Sequence, residues 1–575
     1  MSMIELTIDN KRIKVDKDST ILEAARQAGI TVPTLCYLEG VHQVGSCRVC
    51  VVEVKGSKNL VPSCITKVQN GMKVITNSER VRNARRTMVN LLLSNHPDDC
   101  LACAKNQKCE LQQLAYQLNI RENPFEGQPS RAVYDDSSPA IIRDSSKCIL
   151  CRRCLTVCNS VQKVSVLAPL GRGYDTVISP AYGQTVMEAT CVQCGQCTTV
   201  CPTGALVEKS YIEDVWNALA DPSKHVVVQI APAIRASIGE CFGYEPGTVL
   251  TGKLVGAVKA LGFDKVFDTN FTADLTIMEE GSELLHRISS GGKLPMITSC
   301  SPGWINFVEQ FYGDILDHVS TCKSPQQMFG SVIKTYYAQK MGIDPANIYS
   351  VSVMPCTAKK YEARREEMQS SGFWDVDAVL TTRELAAMIN EAGIQMDKID
   401  EQNFDIPFGE GSGAGAIFGN TGGVMEAALR TVYKLVTGEE LENVELTDVR
   451  GLKGIKEATI RLGGRDVSVA VVHGLGNIRE ILDQIREGKS PYTFIEIMCC
   501  PGGCIGGGGQ PTPTNHETRK KRIEGLYKAD RNLEIRRSHQ NPYVKMIYEE
   551  FLGAPLGELS HKLLHTHYRD RRTVQ

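Results

Sequence analysis

Hydrophobic and polar residues alternate at the start of the chain and then take up the longer repeat of a helix. Residues 4–8 and 12–15 alternate between apolar and polar side chains on either side of an Asp-Asn turn. This is the pattern of a β-hairpin with one buried face. Residues 21–28 carry apolar side chains at helical spacing and are followed by Gly29. A short helix that ends at this glycine is therefore predicted after the hairpin.

Beyond residue 213 the pattern becomes an alternation of short apolar runs with helical stretches. The runs at 226–230, 294–299 and 348–354 are each followed by a loop and then by apolar residues at helical spacing. This alternation predicts an α/β domain in which the runs are buried strands. Because ligands bind at the carboxyl ends of strands in open α/β sheets, the loops after these runs are the predicted site.

Composition narrows the class of protein further. The chain has 575 residues, enough for several domains, and its 42% hydrophobic and 23% charged residues are ordinary for a globular protein. A net charge of -2 argues against binding to nucleic acid. The first residues do not read as a secretory signal, and no run of about 18 apolar residues predicts a membrane span. A cytoplasmic protein is expected, and in that reducing compartment its 22 cysteines are better metal ligands than disulfide partners.

Eight of the cysteines form two runs with the spacing C-x2-C-x2-C-x3-C, and the second run ends in proline. In such runs three closely spaced thiolates hold one four-iron cluster, and the fourth cysteine ligates the other cluster. A zinc ribbon or a disulfide frame is the alternative. The predicted ligands of the two [4Fe–4S] clusters are Cys148, Cys151, Cys154 and Cys201 for one, and Cys191, Cys194, Cys197 and Cys158 for the other.

Two further ligand sets precede these runs. The hairpin, the helix and the loop that follows resemble the β-grasp of [2Fe–2S] ferredoxins, and the spacing C-x10-C-x2-C-x13-C resembles the N-terminal domain of the large iron–sulfur subunit of complex I. A helix predicted over 78–93 then leads to an H-x3-C-x2-C-x5-C set, which follows the β-grasp domain in the same subunit. This set could hold a [4Fe–4S] cluster or a structural zinc ion. The ligands are Cys36, Cys47, Cys50 and Cys64 for the [2Fe–2S] cluster, and His96, Cys100, Cys103 and Cys109 for the second set.

Three loops of the α/β region resemble the signature loops of the [FeFe]-hydrogenases. They are Thr-Ser-Cys-Ser-Pro-Gly-Trp at 298–304, Val-Met-Pro-Cys-Thr-Ala-Lys-Lys at 353–360 and Glu-Ile-Met-Cys-Cys-Pro-Gly-Gly-Cys at 496–504. The resemblance implies an H-cluster, which is a [4Fe–4S] cube joined to a two-iron unit with CO, CN⁻ and azadithiolate ligands. By matching positions, Cys356 and Cys500 ligate the cube, and Cys504 bridges the cube to the two-iron unit.

The first loop departs from the family pattern. The family usually has two consecutive cysteines there, a proton-transfer thiol followed by a cube ligand, whereas this chain has Cys300 and Ser301. Matching this loop to the family pattern, position by position, places the proton-transfer thiol at Cys300 and a serine at the ligand position. Two assignments stay open, in which Ser301 ligates the cube through oxygen or the loop shifts so that Cys300 ligates.

The resemblance also implies roles for residues around the two-iron unit. Lys359 is expected to donate a hydrogen bond to a cyanide, and the proton path is expected to run from Cys300 through four residues to the surface. The residues of this path are Glu280, Ser320, Glu283 and Arg287. The residues expected to line the cofactor are Pro232, Ala233, Gln326, Met354, Gly419 and Met498.

Together these observations predict a multidomain α+β and α/β protein. The predicted domains are a β-grasp [2Fe–2S] domain at 1–78, a His/Cys3 cluster domain at 79–126, a double-[4Fe–4S] ferredoxin domain at 127–212 and an H-cluster domain at 213–575 with a small-subunit-like end. The implied reaction is reversible H2 oxidation and proton reduction, with electrons passing through one [2Fe–2S] and three accessory [4Fe–4S] clusters.

Three functional interpretations remain. The chain is the catalytic subunit of an NAD(P)-linked, electron-bifurcating complex whose flavin and NAD sites lie on other subunits, or it is a stand-alone hydrogenase that uses ferredoxin. The third is a hydrogen sensor or a non-catalytic iron–sulfur protein. The Cys36–Cys64 spacing and the Cys300-Ser301 pair favour the first of these.

Overall fold

The computed structural model describes residues 2–128 and 132–572 and divides the chain into two compact units. The first unit comprises the chain up to Ser137, Ile141–Ala189 and Val200–Val207. The second comprises Ser138–Ala140, Thr190–Thr199 and the chain from Glu208 onward. The segment Thr190–Thr199 holds three cysteines of the second ferredoxin-type run and belongs to the second unit.

The predicted N-terminal hairpin and helix are confirmed. Asp9 and Asn10 adopt positive φ and turn the chain between two antiparallel strands, so that the apolar side chains of both strands point to one face. A capping box fixes the start of the following helix, because the Thr20 side chain accepts a hydrogen bond from the Glu23 amide and the Glu23 carboxylate accepts one from the Thr20 amide. The helix packs on the core of the five-stranded sheet that contains this hairpin.

The strands up to Glu208 are β1 (Met3–Ile8), β2 (Lys11–Asp16), β3 (Val51–Val54), β4 (Val61–Pro62), β5 (Lys73–Ile75), β6 (Tyr134–Asp135), β7 (Ile141–Asp144), β8 (Leu167–Leu170), β9 (Val177–Pro180) and β10 (Leu206–Glu208). The α-helices are α1 (Ile21–Gln27), α2 (Glu79–Ser94), α3 (Glu110–Gln117), α4 (Arg153–Thr156) and α5 (Gln196–Val200). The helix predicted over 78–93 is α2, which Ser78 caps by accepting a hydrogen bond from the Val81 amide.

The second unit is the predicted α/β region. Its strands are β11 (His225–Ile230), β12 (Lys265–Asp268), β13 (Met296–Ile297), β14 (Ile348–Met354), β15 (Ala378–Thr381), β16 (Ile455–Leu462), β17 (Arg465–His473) and β18 (Phe494–Met498). The first sheet has the order β12-β11-β14-β15 with all strands parallel, and it is buried, as expected for parallel strands that are continuous apolar runs. The second has the order β13-β18-β17-β16, in which β16 is antiparallel to β17 and alternates between exposed and more buried side chains.

The helices of this region pack on the faces of the two sheets and on one another. They are α6 (Ile212–Ala220), α7 (Thr251–Ala260), α8 (Thr269–Ser290), α9 (Pro302–Phe311), α10 (Pro325–Val332), α11 (Ala338–Met341), α12 (Ala358–Glu362), α13 (Thr382–Glu391), α14 (Gly413–Ala416), α15 (Gly423–Thr437), α16 (Arg479–Arg486), α17 (His516–Asn532), α18 (Pro542–Ile547) and α19 (Glu558–Leu564).

Two of the three predicted strands keep their predicted extent, and the third is shorter. β11 and β14 cover the runs at 226–230 and 348–354, whereas the run at 294–299 contributes only β13. Pro295 lacks an amide hydrogen to donate to a neighbouring strand, and β13 lies at the end of the strand order, where it pairs with β18 on one side and forms a single bridge, from Ile297 to Val319, on the other. The loop that follows β13 therefore begins earlier than the sequence pattern predicts.

The C-terminal helices α17 to α19 pack into the same unit through buried polar pairs as well as apolar contacts. The Arg430 guanidinium on α15 and the Asp530 carboxylate on α17 are both fully buried and lie 3.0 Å apart. The Tyr548 hydroxyl donates a hydrogen bond of 2.5 Å to the Glu279 carboxylate on α8. These contacts tie residues from the end of the chain to the helix that carries the predicted proton path.

In the part of the chain that the structure describes, no helix combines the length and the apolar character needed to cross a lipid bilayer.

Candidate active site

The three signature loops follow the carboxyl ends of strands in the second unit. The loop after β13 carries Cys300, the loop after β14 carries Cys356, and the loop after β18 carries Cys500. Together with residues after β11 they line a cavity. The predicted site residues that line the cavity are Pro232, Ala233, Cys300, Gln326, Met354, Cys356, Lys359, Gly419, Met498 and Cys504.

Three of the thiols predicted to hold the cofactor are near enough to affect one another electrostatically. Burial, and next the negative charges of Cys500 and Cys504, hold the pKa of the Cys356 thiol well above its usual range. Burial and the charge of Cys500 raise the pKa of Cys504 to about 12. Thiols that raise one another's pKa in a dry pocket are ready to bind a cation, because thiolate ligation to iron removes the repulsion.

A glycine turn brings two of these thiols to the same place. Gly503 has a φ of 92°, and a Cβ atom there would come within 2.7 Å of the Thr421 amide nitrogen. A residue with a side chain would be both strained and crowded at this position. The Gly503 amide donates to the Cys500 carbonyl, which closes the turn between Cys500 and Cys504.

Cys300 and Ser301 face different surroundings. Cys300 lines the cavity, its carbonyl accepts a 3.2 Å hydrogen bond from Lys359 Nζ, and the pKa of its thiol is raised by burial and by the nearby Glu280 carboxylate. Ser301 begins α9, and its hydroxyl oxygen accepts a 3.1 Å hydrogen bond from the Cys499 amide. The first of the two residues thus lies beside the predicted proton path, and the second lies beside the loop after β18.

Buried hydrogen bonds fix the position of the Lys359 ammonium. It is 2.9 Å from a Glu362 carboxylate oxygen, which also accepts hydrogen bonds from the Ser324 hydroxyl and from Gln326 Nε2. The side-chain amide oxygen of Gln326 in turn accepts a hydrogen bond of 2.8 Å from the Ser352 hydroxyl. A single buried carboxylate therefore orients both a cation and an amide at the wall of the cavity.

Glu362 is a residue that the sequence analysis missed. It lies three residues after Lys359 in α12, so both side chains project from the same face of the helix. That spacing was a visible signal, but a lysine and a glutamate one turn apart are far more often a solvent-exposed pair. Only the burial of both side chains distinguishes the present case.

Three of the four residues of the predicted proton path are joined by hydrogen bonds, and Glu280 lies close to them. Glu280, Glu283 and Arg287 all lie on α8, and Ser320 approaches from the loop after α9. The Ser320 hydroxyl donates to a Glu283 oxygen at 2.9 Å, and Arg287 donates to the other oxygen at 2.6 Å. The Arg287 side chain is half-buried, so the series runs from the buried interior to the edge of the protein.

Glu280 is the most perturbed acid of this series. Burial, and next the negative charge of Glu283, raise its pKa to about 8, and neither of its carboxylate oxygens has a well-formed hydrogen bond. An acid with a pKa near neutrality can both accept and release a proton under physiological conditions. Its neighbour Glu279 is equally buried but is held by Tyr548, the Leu556 amide and His565.

The residues around the cavity fit the cofactor that the signature loops imply. The donor set consists of soft thiols suited to iron, and the rest of the wall is apolar apart from the side chains of Lys359, Gln326 and Thr269. Met354, Met498 and Phe418 contribute apolar side chains to this wall. A weakly polar pocket with a single fixed cation suits an anionic cluster that carries diatomic ligands.

The first unit brings together the four thiols of one predicted ferredoxin-type cluster. A cavity is lined by Cys148, Cys151, Cys154 and, from the end of the second run, Cys201. The backbone at Leu150 and that at Arg152 adopt positive φ, and the second run repeats this at Gln193 and Gly195. The two runs thus share one loop conformation, which turns successive amides inward around the thiols.

The other predicted cysteine sets differ in the contacts that their thiols make with one another. In the β-grasp sheet the Cys50 and Cys64 sulfurs are 3.2 Å apart, and Cys36 is hydrogen bonded to Cys47. Burial, and next the charge of Cys103, raises the pKa of Cys100, and burial raises the pKa of Cys109. Burial lowers the pKa of His96, which favours its neutral imidazole. Neutral imidazole is the form that ligates metals. Cys191, Cys194 and Cys197 belong to the second unit and their predicted fourth partner, Cys158, to the first.

Comparison with known proteins agrees with this arrangement. Residues 224–508 match the iron only hydrogenase large subunit, C-terminal domain, and residues 516–571 match the iron hydrogenase small subunit. Residues 1–79 match a 2Fe-2S iron-sulfur cluster binding domain, residues 85–124 an NADH-ubiquinone oxidoreductase-G iron-sulfur binding region, and residues 140–205 a 4Fe-4S dicluster domain.

Relatives extend the likeness to the whole chain. The NADP-reducing hydrogenase subunit HndD of Solidesulfovibrio fructosivorans is 52% identical over 100% of both chains, and iron hydrogenase 1 of Clostridium pasteurianum is 41% identical over 99% of this chain and 100% of its own. A solved structure of a variant of [FeFe]-hydrogenase HydA1 from Chlamydomonas reinhardtii is 42% identical, with a TM-score of 0.58 over 64% of this chain and 100% of that chain. The chain therefore belongs to the [FeFe]-hydrogenase family and carries accessory iron–sulfur domains.

Proposed function

We propose that this hydrogenase is the H2-converting subunit of an NAD(P)-linked, electron-bifurcating complex. The observation that carries the proposal is the 52% identity, over the full length of both chains, to a subunit named as part of an NADP-reducing hydrogenase. No dinucleotide-binding glycine fingerprint was found in the sequence, so the dinucleotide site is assigned to another subunit. The predicted complex-I-like domains at 1–78 and 79–126 suit an electron route to such a partner.

The cofactor, when bound, supplies the site at which H2 is cleaved or formed and the first step of electron transfer. Cys356, Cys500 and Cys504 are proposed to hold it through their sulfur atoms. Lys359 is proposed to donate a hydrogen bond to it, in the orientation fixed by Glu362. Met354 and Met498 exclude water from it, which strengthens the electrostatic interactions of the single ammonium.

The proton route is proposed to run from the Cys300 thiol to Glu280, then through Ser320 and Glu283 to Arg287. The Ser320 hydroxyl, which donates to Glu283, can accept a proton on one side while it releases one on the other. Glu280, whose pKa is raised to about 8, is more basic than an ordinary carboxylate and is therefore better suited to accept a proton from the thiol.

Electrons are proposed to travel through the accessory clusters in the four predicted domains. The two ferredoxin-type clusters have the ligand sets given above, in which Cys201 joins the first run and Cys158 joins the second. A cytoplasmic location is part of the proposal, because this many thiols are retained as ligands in a reducing compartment.

The accessory cluster count makes one testable prediction. We expect the matured chain to contain about 20 iron atoms and no zinc, from one [2Fe–2S] cluster, four [4Fe–4S] units and the two-iron site. His96→Cys should keep this iron content and lower the reduction potential of one cluster, because a thiolate adds negative charge where imidazole adds none. Metal analysis and EPR-monitored redox titration would measure both. One zinc and about 16 iron atoms per chain would show that the His96 set holds zinc.

The proposed dependence on a partner subunit leads to a second testable prediction. We expect the purified chain to evolve H2 from reduced viologen but to show no H2 evolution from NADH or NADPH, because it has no site for either dinucleotide. Adding a co-purified flavoprotein subunit should restore the dinucleotide-linked activity. H2 production from NADH or NADPH by the pure chain would refute the proposed division between subunits. Full activity with reduced ferredoxin and no co-purifying flavoprotein would instead favour a stand-alone, ferredoxin-dependent enzyme.

A further inference from the structure

The loop after β13 has a serine where the family has a thiolate ligand of the cube, and a cysteine stands beside that serine. The Ser301 hydroxyl oxygen accepts a hydrogen bond from the backbone amide of Cys499 at 3.1 Å. Cys499 directly precedes the predicted ligand Cys500 in the loop after β18. Ser301, which has no sulfur atom, and Cys499, which adds one, are therefore neighbours in space, although 198 residues separate them in sequence.

The thiol of Cys499 lies against the first turn of α9, the same turn that begins with Ser301. Gly303 provides the space, since a Cβ atom there would be 2.6 Å from the Cys499 sulfur. Cys499 is 4% exposed, and its thiol is in hydrogen-bonding contact with the thiols of Cys500 and Cys194. The Cys499 sulfur therefore lies beside the helix turn that follows position 301.

The two other candidates for the fourth ligand are less suitable. Cys300 lines the cavity near Glu280, beside the predicted proton path, and its carbonyl accepts a hydrogen bond from Lys359. The Ser301 hydroxyl is a much weaker acid than a thiol, and iron–sulfur clusters are held by thiolates with few exceptions. Three thiols of the loops after β14 and β18 are already gathered, so one more thiolate completes the set.

We propose that Cys499 supplies the fourth thiolate of the [4Fe–4S] cube, in place of the family's cysteine at position 301. This rests on the proposed hydrogenase function. Ligation replaces the S–H bond of Cys499 by an S–Fe bond and releases its proton to solvent, with no change in oxidation state. Because Cys499 also contacts Cys194, a ligand sulfur of the cube is then adjacent to a ligand sulfur of an accessory cluster, which gives electrons a short path between the two.

The test uses the full chain produced without the machinery that builds the two-iron unit, so that only cubes and the [2Fe–2S] cluster assemble. We expect Cys499→Ala to lose about four iron atoms per chain and the EPR signal of one [4Fe–4S] cluster, whereas Ser301→Ala keeps both. The double variant Ser301→Cys with Cys499→Ala should regain the iron and the signal. Cys241→Ala, which removes a thiol from the core beside β11, is the matched control and should leave the iron content unchanged.

The same variants, loaded afterwards with a synthetic two-iron unit, identify which cluster was lost. Without the cube the two-iron unit has nothing to attach to. The infrared CO and CN⁻ bands should therefore be absent from Cys499→Ala and present in the double variant. The proposal is refuted if Cys499→Ala retains its full iron content, or if the infrared bands persist after the loss of iron. It is also refuted if Ser301→Ala loses the cube, or if the double variant fails to regain the cube. Wild-type protein with normal bands but no H2 turnover would refute the proposed function and leave the ligand assignment standing.

Discussion

Replacing Cys300 by serine is expected to lower H2 turnover by on the order of 10²–10⁴-fold, the usual effect of removing a proton-transfer group. Cys300 lines the cavity next to Glu280, and a serine hydroxyl is too weak an acid to exchange a proton with that carboxylate. Cys300→Asp, which restores an acid at the same place, should recover part of the activity. Turnover with reduced viologen and the infrared spectrum of the matured protein are the measurements.

The spectrum decides between the two roles that the sequence leaves open for this cysteine. A normal set of CO and CN⁻ bands in Cys300→Ser, together with lost turnover, is the signature of a proton-transfer residue. Loss of the cube or of the bands would instead make Cys300 a ligand and would also contradict the assignment of Cys499. Cys241→Ser is the control for the loss of a thiol as such.

Glu280→Gln should reduce turnover to a similar extent, because glutamine has the shape of the acid but cannot carry the proton onward. The wild-type pKa of about 8 also makes a prediction about stability. The folded state favours the protonated acid, so this contribution is full at low pH and is lost as pH rises towards 8. Between pH 6 and 7.5 the wild type should lose about 2 kcal/mol of unfolding free energy that the glutamine variant retains.

Tryptophan fluorescence during urea unfolding can measure this difference for the second unit alone, because Trp216, Trp304 and Trp374 all lie in it. Glu279→Gln is the matched control. Its carboxylate is equally buried, but it accepts hydrogen bonds from Tyr548, Leu556 and His565, so the variant should lose stability and keep most of its turnover. Equal losses of activity in both variants would show that Glu280 acts only through packing.

Much of this architecture follows from patterns that are local in the chain. The N-terminal hairpin, α1, α2, β11 and β14 were predictable because each depends on side-chain periodicity and on a cap or turn within a few residues. The thiols Cys148, Cys151, Cys154 and Cys201 were predictable as one group because their spacing is imposed by the cluster itself.

What the sequence could not reveal depends on contacts between distant residues. The pairing of Ser301 with Cys499 and the burial of the Lys359–Glu362 pair arise only when the loops after β13, β14 and β18 converge. The membership of Thr190–Thr199 in the catalytic unit is of the same kind. Its cysteines read as part of a ferredoxin module, yet the segment is hydrogen bonded to the hydrogenase loops, for example from Thr357 to the Gln193 carbonyl at 2.8 Å.

The C-terminal helices carry a consequence for assembly. The segment 516–571 matches a family model named for a separate small subunit, but here it continues the same chain and buries Asp530 against Arg430 and Tyr548 against Glu279. In two separate chains this interface would be a binding equilibrium that weakens on dilution. Covalent continuity makes it an intramolecular contact with a fixed one-to-one ratio, so the helix bearing the proton path keeps its support at any protein concentration.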